Sequence, residues 1–171
     1  QMRKGVLEFI DLATKMPEIQ FVWAGNFAFK GISEGRKEIM EHMDDLPDNV
    51  HFLGLVERDR MNEFFNMGDV MLQLSFEELF PMTILESMNA NIPLLLRDLP
   101  EYKPILFDYY LKANSQQTFK DELTKLKEDA DYYAKACEGS KRGEQFYSKE
   151  SILEQWQQFY DKVATERNLL S

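Results

Sequence analysis

The sequence predicts an α/β domain: a doubly wound parallel sheet, helices on both of its faces, and a helical C-terminal tail. Three observations carry this expectation. Short apolar runs recur along the first two thirds of the chain (IQFVWAG, VHFLGLV, DVMLQLS and PLLLR). Segments with helical spacing of apolar residues stand between them, so successive strands run parallel through right-handed crossovers. PLLLR, residues 93–97, carries no polar residue before its end, the pattern of a strand covered on both faces.

The elements follow in order. Val6, Leu7, Phe9, Ile10, Leu12 and Ala13 form a helical stripe that Pro17 ends. A buried strand near 19–24 runs into Gly25, residues 34–44 read as a mixed-charge helix, and LPDN leads into a strand near 50–55. RDRMNEFFNMG is a helix stopped by Gly68, and DVMLQLS gives a strand near 69–74, read as polar only at its end. A helix starts near Met82, and a strand near 92–97 follows it. LPEYKPILF supplies a short helix opening on proline, and DYYLKA a weak strand near 109–112. From about Ser115 the chain is helical, with Tyr132, Tyr133, Phe146, Tyr147, Trp156, Phe159 and Tyr160 at helical spacing, read as packing residues. Neither repeats nor a low-complexity linker appear, so residues 1–171 are read as a single domain.

Composition narrows the function. A hydrophobic share of 44% in 171 residues suffices for one buried core. Thirty acidic residues against 20 basic ones give a net charge of −10, which disfavours nucleic acid, whose phosphates need a basic face. The single Cys137 excludes an internal disulfide and fits a reducing compartment. The sequence lacks any apolar run of the length that spans a membrane, about 18 residues. It opens at Gln1 directly on a helix, and is read as a piece of a longer protein.

Residues 77–98, EELFPMTILESMNANIPLLLRD, hold the candidate chemistry. Glu78 and Glu86 lie eight positions apart around the start of a helix, just after an apolar strand. The strand–loop–helix order aims unpaired N–H groups and the positive helix end at the loop, which favours a phosphate there. Carboxylates beside a phosphate repel it, so Glu78 and Glu86 are expected to accept hydrogen bonds from hydroxyls on either side. A phosphate flanked by hydroxyl-rich groups describes a nucleotide sugar. Ligands on doubly wound sheets sit outside the carboxyl ends of the strands, where Gly25, Gly54, Ser75 and Arg97 all fall.

This segment resembles the donor-site signature of retaining group 1 glycosyltransferases with two Rossmann-like domains, the B-type fold. Glu78, the seven residues LFPMTIL, Glu86, SMNANI and Pro93-LLLRD follow that pattern. RKGV at 3–6, FVWAG at 21–25, NVHFLGLV at 49–56 and FYSKESILEQWQQFY at 146–160 match further family segments in the family's order. The resemblance implies a Rossmann-like domain forming the C-terminal, donor-binding half of a hexosyltransferase. The N-terminal acceptor domain is then absent, and the half is inactive alone. It implies Lys4 with Met82 and Thr83 at the pyrophosphate, Glu86 at the ribose, and the backbone of Val56 at the base. Gly25 and Asn26 line the donor site, and Glu78 meets the sugar being transferred. The donor is expected to be UDP-linked, with neither metal nor cofactor. The acceptor is a glycolipid or a polysaccharide, and RKGV, VERDRMNEFF and ELFPMTILESM look most like Gram-positive diglycosyl-diacylglycerol synthases. A cytoplasmic location follows, with room for the missing half to rest on the inner face of the plasma membrane.

The chain departs from the family in two ways. The family's central strand precedes the Lys-Gly motif, and this chain begins too late to contain it, which would leave a gap in the sheet. Leu79 and Pro81 replace frequent glycines, and Asn91 replaces a turn glycine. Asparagine tolerates the left-handed conformation such a turn uses.

Other readings stand beside these. Glu78 and Glu86 also fit solvated acids at a helix start, and Lys4 without Gly5 is a surface lysine. His42 and His51 lack metal-ligand company and are read as structural. Arg97 and Asp98 fit either a mutual ion pair or a ligand role. A glycosidase needs two carboxylates about 5–9.5 Å apart across one bond, and nothing else here suggests hydrolysis. A non-catalytic Rossmann-like partner or scaffold of a glycosylation complex is the remaining alternative.

Overall fold

Leu94, Leu95 and Leu96, all buried, set the plan of the molecule. Successive side chains of a strand point to opposite faces, and each face here meets its own core. Leu95 packs with Leu12, Ala13, Phe119 and Leu123, whereas Leu94 and Leu96 pack with Ile84, Met88, Tyr102 and Leu106. A strand that is apolar up to its last residue therefore lies between two helical layers, as expected.

The structure is a computed structural model and describes residues 2–26, 42 and 45–168. Its strands are β1 (Phe21–Ala24), β2 (Val50–Gly54), β3 (Met71–Gln73), β4 (Leu94–Arg97) and β5 (Leu111–Ala113). The α-helices are α1 (Val6–Thr14), α2 (Met61–Met67), α3 (Met82–Asn89), α4 (Lys103–Leu106), α5 (Gln116–Glu128), α6 (Ala130–Phe146) and α7 (Lys149–Asn168). The helix expected over 34–44 falls almost entirely outside the described residues.

All described strand pairs are parallel, and they form two sheets, β2-β1 and β3-β4-β5. Phe21 pairs with Val50, Met71 with Leu94, and Leu95 with Leu111. Among the described residues, β1 and β3 each pair on one side only. Val22 and Trp23 face Met71 and Leu72 across a groove, where a cavity of about 540 Å³ opens toward the carboxyl ends of the strands. A second cavity, of about 790 Å³, continues toward the amino ends and shares Phe9, Val22, Phe65 and Leu72 with the first. The interruption matches the gap expected from the sequence.

Local chemistry fixes the remaining geometry. Asn49, buried, donates through Nδ2 to the carbonyls of Ala13, Met16 and Ile19, tying the end of α1 to the start of β2. Asn91 has φ 55°, the left-handed conformation expected where a turn glycine is usual. Ser115 and Thr118 form a capping box at the start of α5. The Asp129 side chain caps α6 by accepting from Tyr132 N–H.

The tail differs from expectation in two respects. The segment read as one closing helix from 146 breaks at Tyr147–Ser148, and Ser148 Oγ accepts from Ser151 N–H as α7 begins. Phe146 and Tyr147 pack with Phe107, Tyr109 and Phe80, as packing residues should. Trp156, Phe159 and Tyr160 are each more than half exposed and touch one another along α7, Trp156 stacked on Tyr160 and Phe159 edge-on to both. Their helical spacing reflects a common face, but that face is not turned into the core.

Candidate functional site

Two turns meet at the carboxyl edge of the groove. One is the 3₁₀ turn Met2–Lys4 with Gly5, which carries the chain into α1. Gly5 has φ 74°, and a Cβ there would stand 2.6 Å from the Leu74 carbonyl oxygen, so only glycine lets the turn lie this close to the end of β3. The other is the β3–α3 loop. Phe76 N–H donates to the Arg3 carbonyl at 2.8 Å and locks the two turns together.

That contact places Lys4 over Glu78. Lys4 Nζ lies 2.5 Å from Glu78 Oε1, and the Glu78 side chain is only 7% exposed. Gln73 Nε2 donates to the same oxygen at 2.9 Å, and to the Tyr102 hydroxyl at 3.3 Å. Tyr102 is almost fully buried. Burial, reinforced by the nearby Glu78 charge, pushes its hydroxyl well above the usual tyrosine range. The loop ends at Pro81, which sits at the N-cap of α3 with extended backbone, and Ile84 N–H donates to its carbonyl at 3.0 Å.

The groove's upper cavity is lined by Lys4, Gly25, Asn26, Glu78 and Thr83 among the residues singled out from sequence, with Gly54 and Ser75 beside them. Gly25 N–H donates to the Gly54 carbonyl at 2.7 Å, joining the ends of β1 and β2. Three expected site residues are not part of this lining. Met82 is 61% exposed at the first turn of α3, Val56 is half-buried beyond β2, and Glu86 is half-buried in the second turn of α3. The structure thus brings Glu78 and Thr83 together with Gly25 and leaves Glu86 outside the cavity wall.

Arg97 and Asp98 do not pair with each other. Arg97 Nε donates to the Leu74 carbonyl at 3.0 Å, Nη1 donates to the Asn114 carbonyl at 3.3 Å, and the guanidinium lies 4.0 Å from the centre of the Phe76 ring. Asp98 accepts from the Tyr110 hydroxyl at 2.9 Å. Arg97 therefore braces the loop from behind. His51 pairs with Gln20 at the exposed amino end of the sheets, away from the carboxyl edge, consistent with a structural role. Among the described residues, His, Cys, Asp and Glu do not gather in any group of three suited to a metal.

Gln73 and Tyr102 were not singled out by the sequence reading. The signal for Gln73 was present: it is the one strongly polar side chain within the apolar run MLQL, which was read as polar only at its end.

Residues 1–143 match the family model of the group 1 glycosyl transferases. The chain belongs to the group 1 glycosyltransferases. This group 1 glycosyltransferase domain is 37% identical over 164 residues to the alpha-galactosylglucosyldiacylglycerol synthase of Streptococcus pneumoniae, covering 96% of itself and 44% of that protein. It spans less than half the length of that curated relative. Among solved structures, Anabaena HepE in complex with UDP-glucose superposes with a TM-score of 0.77 at 17% identity, over 96% of this chain and 46% of that one. The C-terminal domain of the group 1 family glycosyltransferase LpcC of Francisella tularensis superposes with a TM-score of 0.69 at 20% identity, over 89% and 82%. At these identities the superpositions establish the fold, the Rossmann-like domain read from sequence.

Proposed function

We propose that this glycosyltransferase domain is the donor-binding half of a retaining hexosyltransferase. It acts with a nucleotide diphosphate sugar, UDP-linked, and a glycolipid acceptor. One observation carries the reading: a buried carboxylate, Glu78, is held by an ammonium group, Lys4, at the carboxyl edge of the parallel sheets beside the start of α3. Nothing in the core needs a charged pair there, whereas a diphosphate sugar presents an anion and a set of hydroxyls at adjoining positions.

In this reading Lys4 and the first N–H groups of α3, near Met82 and Thr83, hold the leaving pyrophosphate by charge and by hydrogen bonds, without a metal. Glu78 accepts hydrogen bonds from hydroxyls of the transferred sugar. Among the described residues both of its hydrogen bonds fall on Oε1, and Oε2 is the oxygen offered to the ligand. Gly25 and Asn26 form the opposite wall of the cleft. Glu86, one turn into α3, takes the ribose, and the backbone near Val56 meets the base. A UDP-sugar complex of a similar fold supports the donor, and the Streptococcus pneumoniae relative supports the lipid acceptor. Clefts of this kind form between domains, so transfer requires the N-terminal acceptor domain, and residues 1–171 alone bind donor weakly and transfer nothing. The complete protein works in the cytoplasm at the inner face of the membrane that holds its acceptor.

Calorimetry with UDP and UDP-glucose on the full-length protein, together with transfer of labelled sugar to glucosyl-diacylglycerol, tests the reading. Nucleotide binding and transfer are expected in the wild type. Glu78→Ala is expected to lower kcat while changing UDP affinity little, because its contact is to the sugar. Absence of nucleotide-sugar binding in the intact protein would make a non-catalytic partner module the better account.

A further inference from the structure

We infer that Gln73 is a positioning residue that holds the Glu78 carboxylate in place for sugar transfer. The inference rests on the donor-site reading above and adds a residue to it.

Gln73 occupies a position that packing would give to an apolar side chain. In β3, Leu72 and the following Leu74 face the core built on α1, while Met71 packs against the core built on α3 and Tyr102. Gln73 shares the face of Met71 by strand alternation. It is only 9% exposed, and its Oε1 is buried without a hydrogen-bond partner. A buried, unsatisfied carbonyl is a standing penalty that leucine at the same position would not carry. The amide cannot escape it by turning over, because its oxygen would then face the Glu78 carboxylate, acceptor against acceptor.

The amide nitrogen accounts for the residue's presence. Nε2 donates to Glu78 Oε1 at 2.9 Å and to the Tyr102 hydroxyl at 3.3 Å, and Tyr102 is fixed by nearly complete burial. Lys4 is the other partner of the same carboxylate oxygen, but in the donor complex Lys4 is shared with the pyrophosphate. Gln73 has no such second duty. Being neutral, it fixes the carboxylate without cancelling its charge, so Glu78 remains a full acceptor for the sugar hydroxyls. A carboxylate released from this anchor could still face the cleft, but over a range of positions, and small misplacements of groups around the reacting centre lower turnover steeply.

The test compares wild type, Gln73→Leu and Gln73→Glu in the full-length protein, measuring UDP affinity, melting temperature and the kcat of sugar transfer. Gln73→Leu is expected to lower kcat about ten- to hundred-fold, with UDP affinity within about two-fold and a melting temperature near that of wild type, the lost bond to Glu78 being offset by relief of the unsatisfied Oε1. Gln73→Glu sets a second carboxylate against Glu78. Its transfer is expected to be lost at neutral pH and to recover as the pH falls and one of the two carboxyls takes up a proton, giving a pH profile absent from wild type. Wild-type kcat in Gln73→Leu, or a kcat loss matched by equal losses of UDP affinity and stability, would overturn the inference while leaving the donor-site reading standing. A wild type that neither binds UDP nor transfers sugar would remove that reading, and this one with it.

Discussion

Lys4 and Glu78 are 74 positions apart in sequence, yet their charged groups lie 2.5 Å from one another in a setting where Glu78 is largely shielded from water. The pair is the product of two turns that dock edge to edge. Its two members face opposite demands from the ligand proposed for this cleft: an anion for the lysine and hydroxyl donors for the glutamate. In this reading donor binding keeps the pair, with Lys4 shared by the pyrophosphate and Glu78 taking sugar hydroxyls on Oε2.

Removing one member should therefore cost stability and binding together. Lys4→Met leaves a shielded carboxylate with Gln73 as its one remaining partner, and the loss of a charge-assisted hydrogen bond is worth about 1.5–3 kcal/mol. UDP affinity is expected to fall about ten- to hundred-fold. In a double-mutant cycle by urea denaturation, Lys4→Met with Glu78→Gln is expected to be less destabilised than the sum of the singles. Strict additivity would show that the pair carries no coupling.

Two glycines with similar φ should respond differently to alanine. Gly5 and Gly54 have φ 74° and 70°, but a Cβ on Gly5 meets Leu74 at 2.6–2.9 Å, whereas a Cβ on Gly54 meets nothing within 4 Å. Gly54→Ala is expected to cost only the left-handed backbone term, about 1–2 kcal/mol. Gly5→Ala adds steric displacement of the β3 end, for a total of about 3 kcal/mol or more. It should also weaken UDP binding, since Lys4 adjoins it. Thermal denaturation of the two variants checks the order.

The turn at Asn91 makes a smaller prediction. At φ 55° the residue is in the left-handed region that glycine occupies freely and asparagine tolerates. Asn91→Gly is expected to change stability by a few tenths of a kcal/mol, while Asn91→Val should destabilise by at least about 1 kcal/mol. Equal melting temperatures for the two would remove the conformational argument.

Alkaline pH should weaken the helical layer. Tyr132, bonded through its hydroxyl to Glu122 at 2.5 Å, is pushed up to about 12, chiefly by burial and then by that carboxylate. Burial also pushes Tyr133 up to about 12. An unfolded chain releases these protons near pH 10, so the native state holds protons that the unfolded state has lost. Their contribution to stability is complete below about pH 10 and disappears as the pH rises through about 12. Urea midpoints are expected to fall across that window, with a shallower fall in Tyr132→Phe.

Much of this arrangement was legible in the sequence, for identifiable reasons. The run Leu94–Leu96 is apolar on both faces of its strand, which only a sheet covered on both sides explains. The helix start near Met82 and the Lys-Gly opening came from the family pattern, and in the structure Pro81 stands at the N-cap of α3 while Gly5 lies against Leu74. Gln73 was lost because one polar residue in a strand has no periodicity to announce it; its meaning lies in Glu78 and Tyr102, which the fold brings to it from either side. Trp156, Phe159 and Tyr160 misled for the reverse reason: helical spacing reports a shared face but not what lies opposite. Arg97 and Asp98, adjacent in sequence, point to different partners because neighbouring side chains at the end of a strand diverge.

Among the described residues, directional ladders hold the strands of each sheet in register, and side-chain packing joins the two sheets. Helix α1 spans the division, with Phe9 against Phe21 and Trp23 on one side and Gly5 against Leu74 on the other. One apolar cluster, holding Phe9, Phe21, Val50, Leu74 and Leu95, continues across the division. The cleft wall that carries Gly25 belongs to one half, and the wall that carries Glu78 belongs to the other. Both walls of the cleft are thus set by packing on α1, and Phe9 and Gly5 are the points at which that helix reaches each of them.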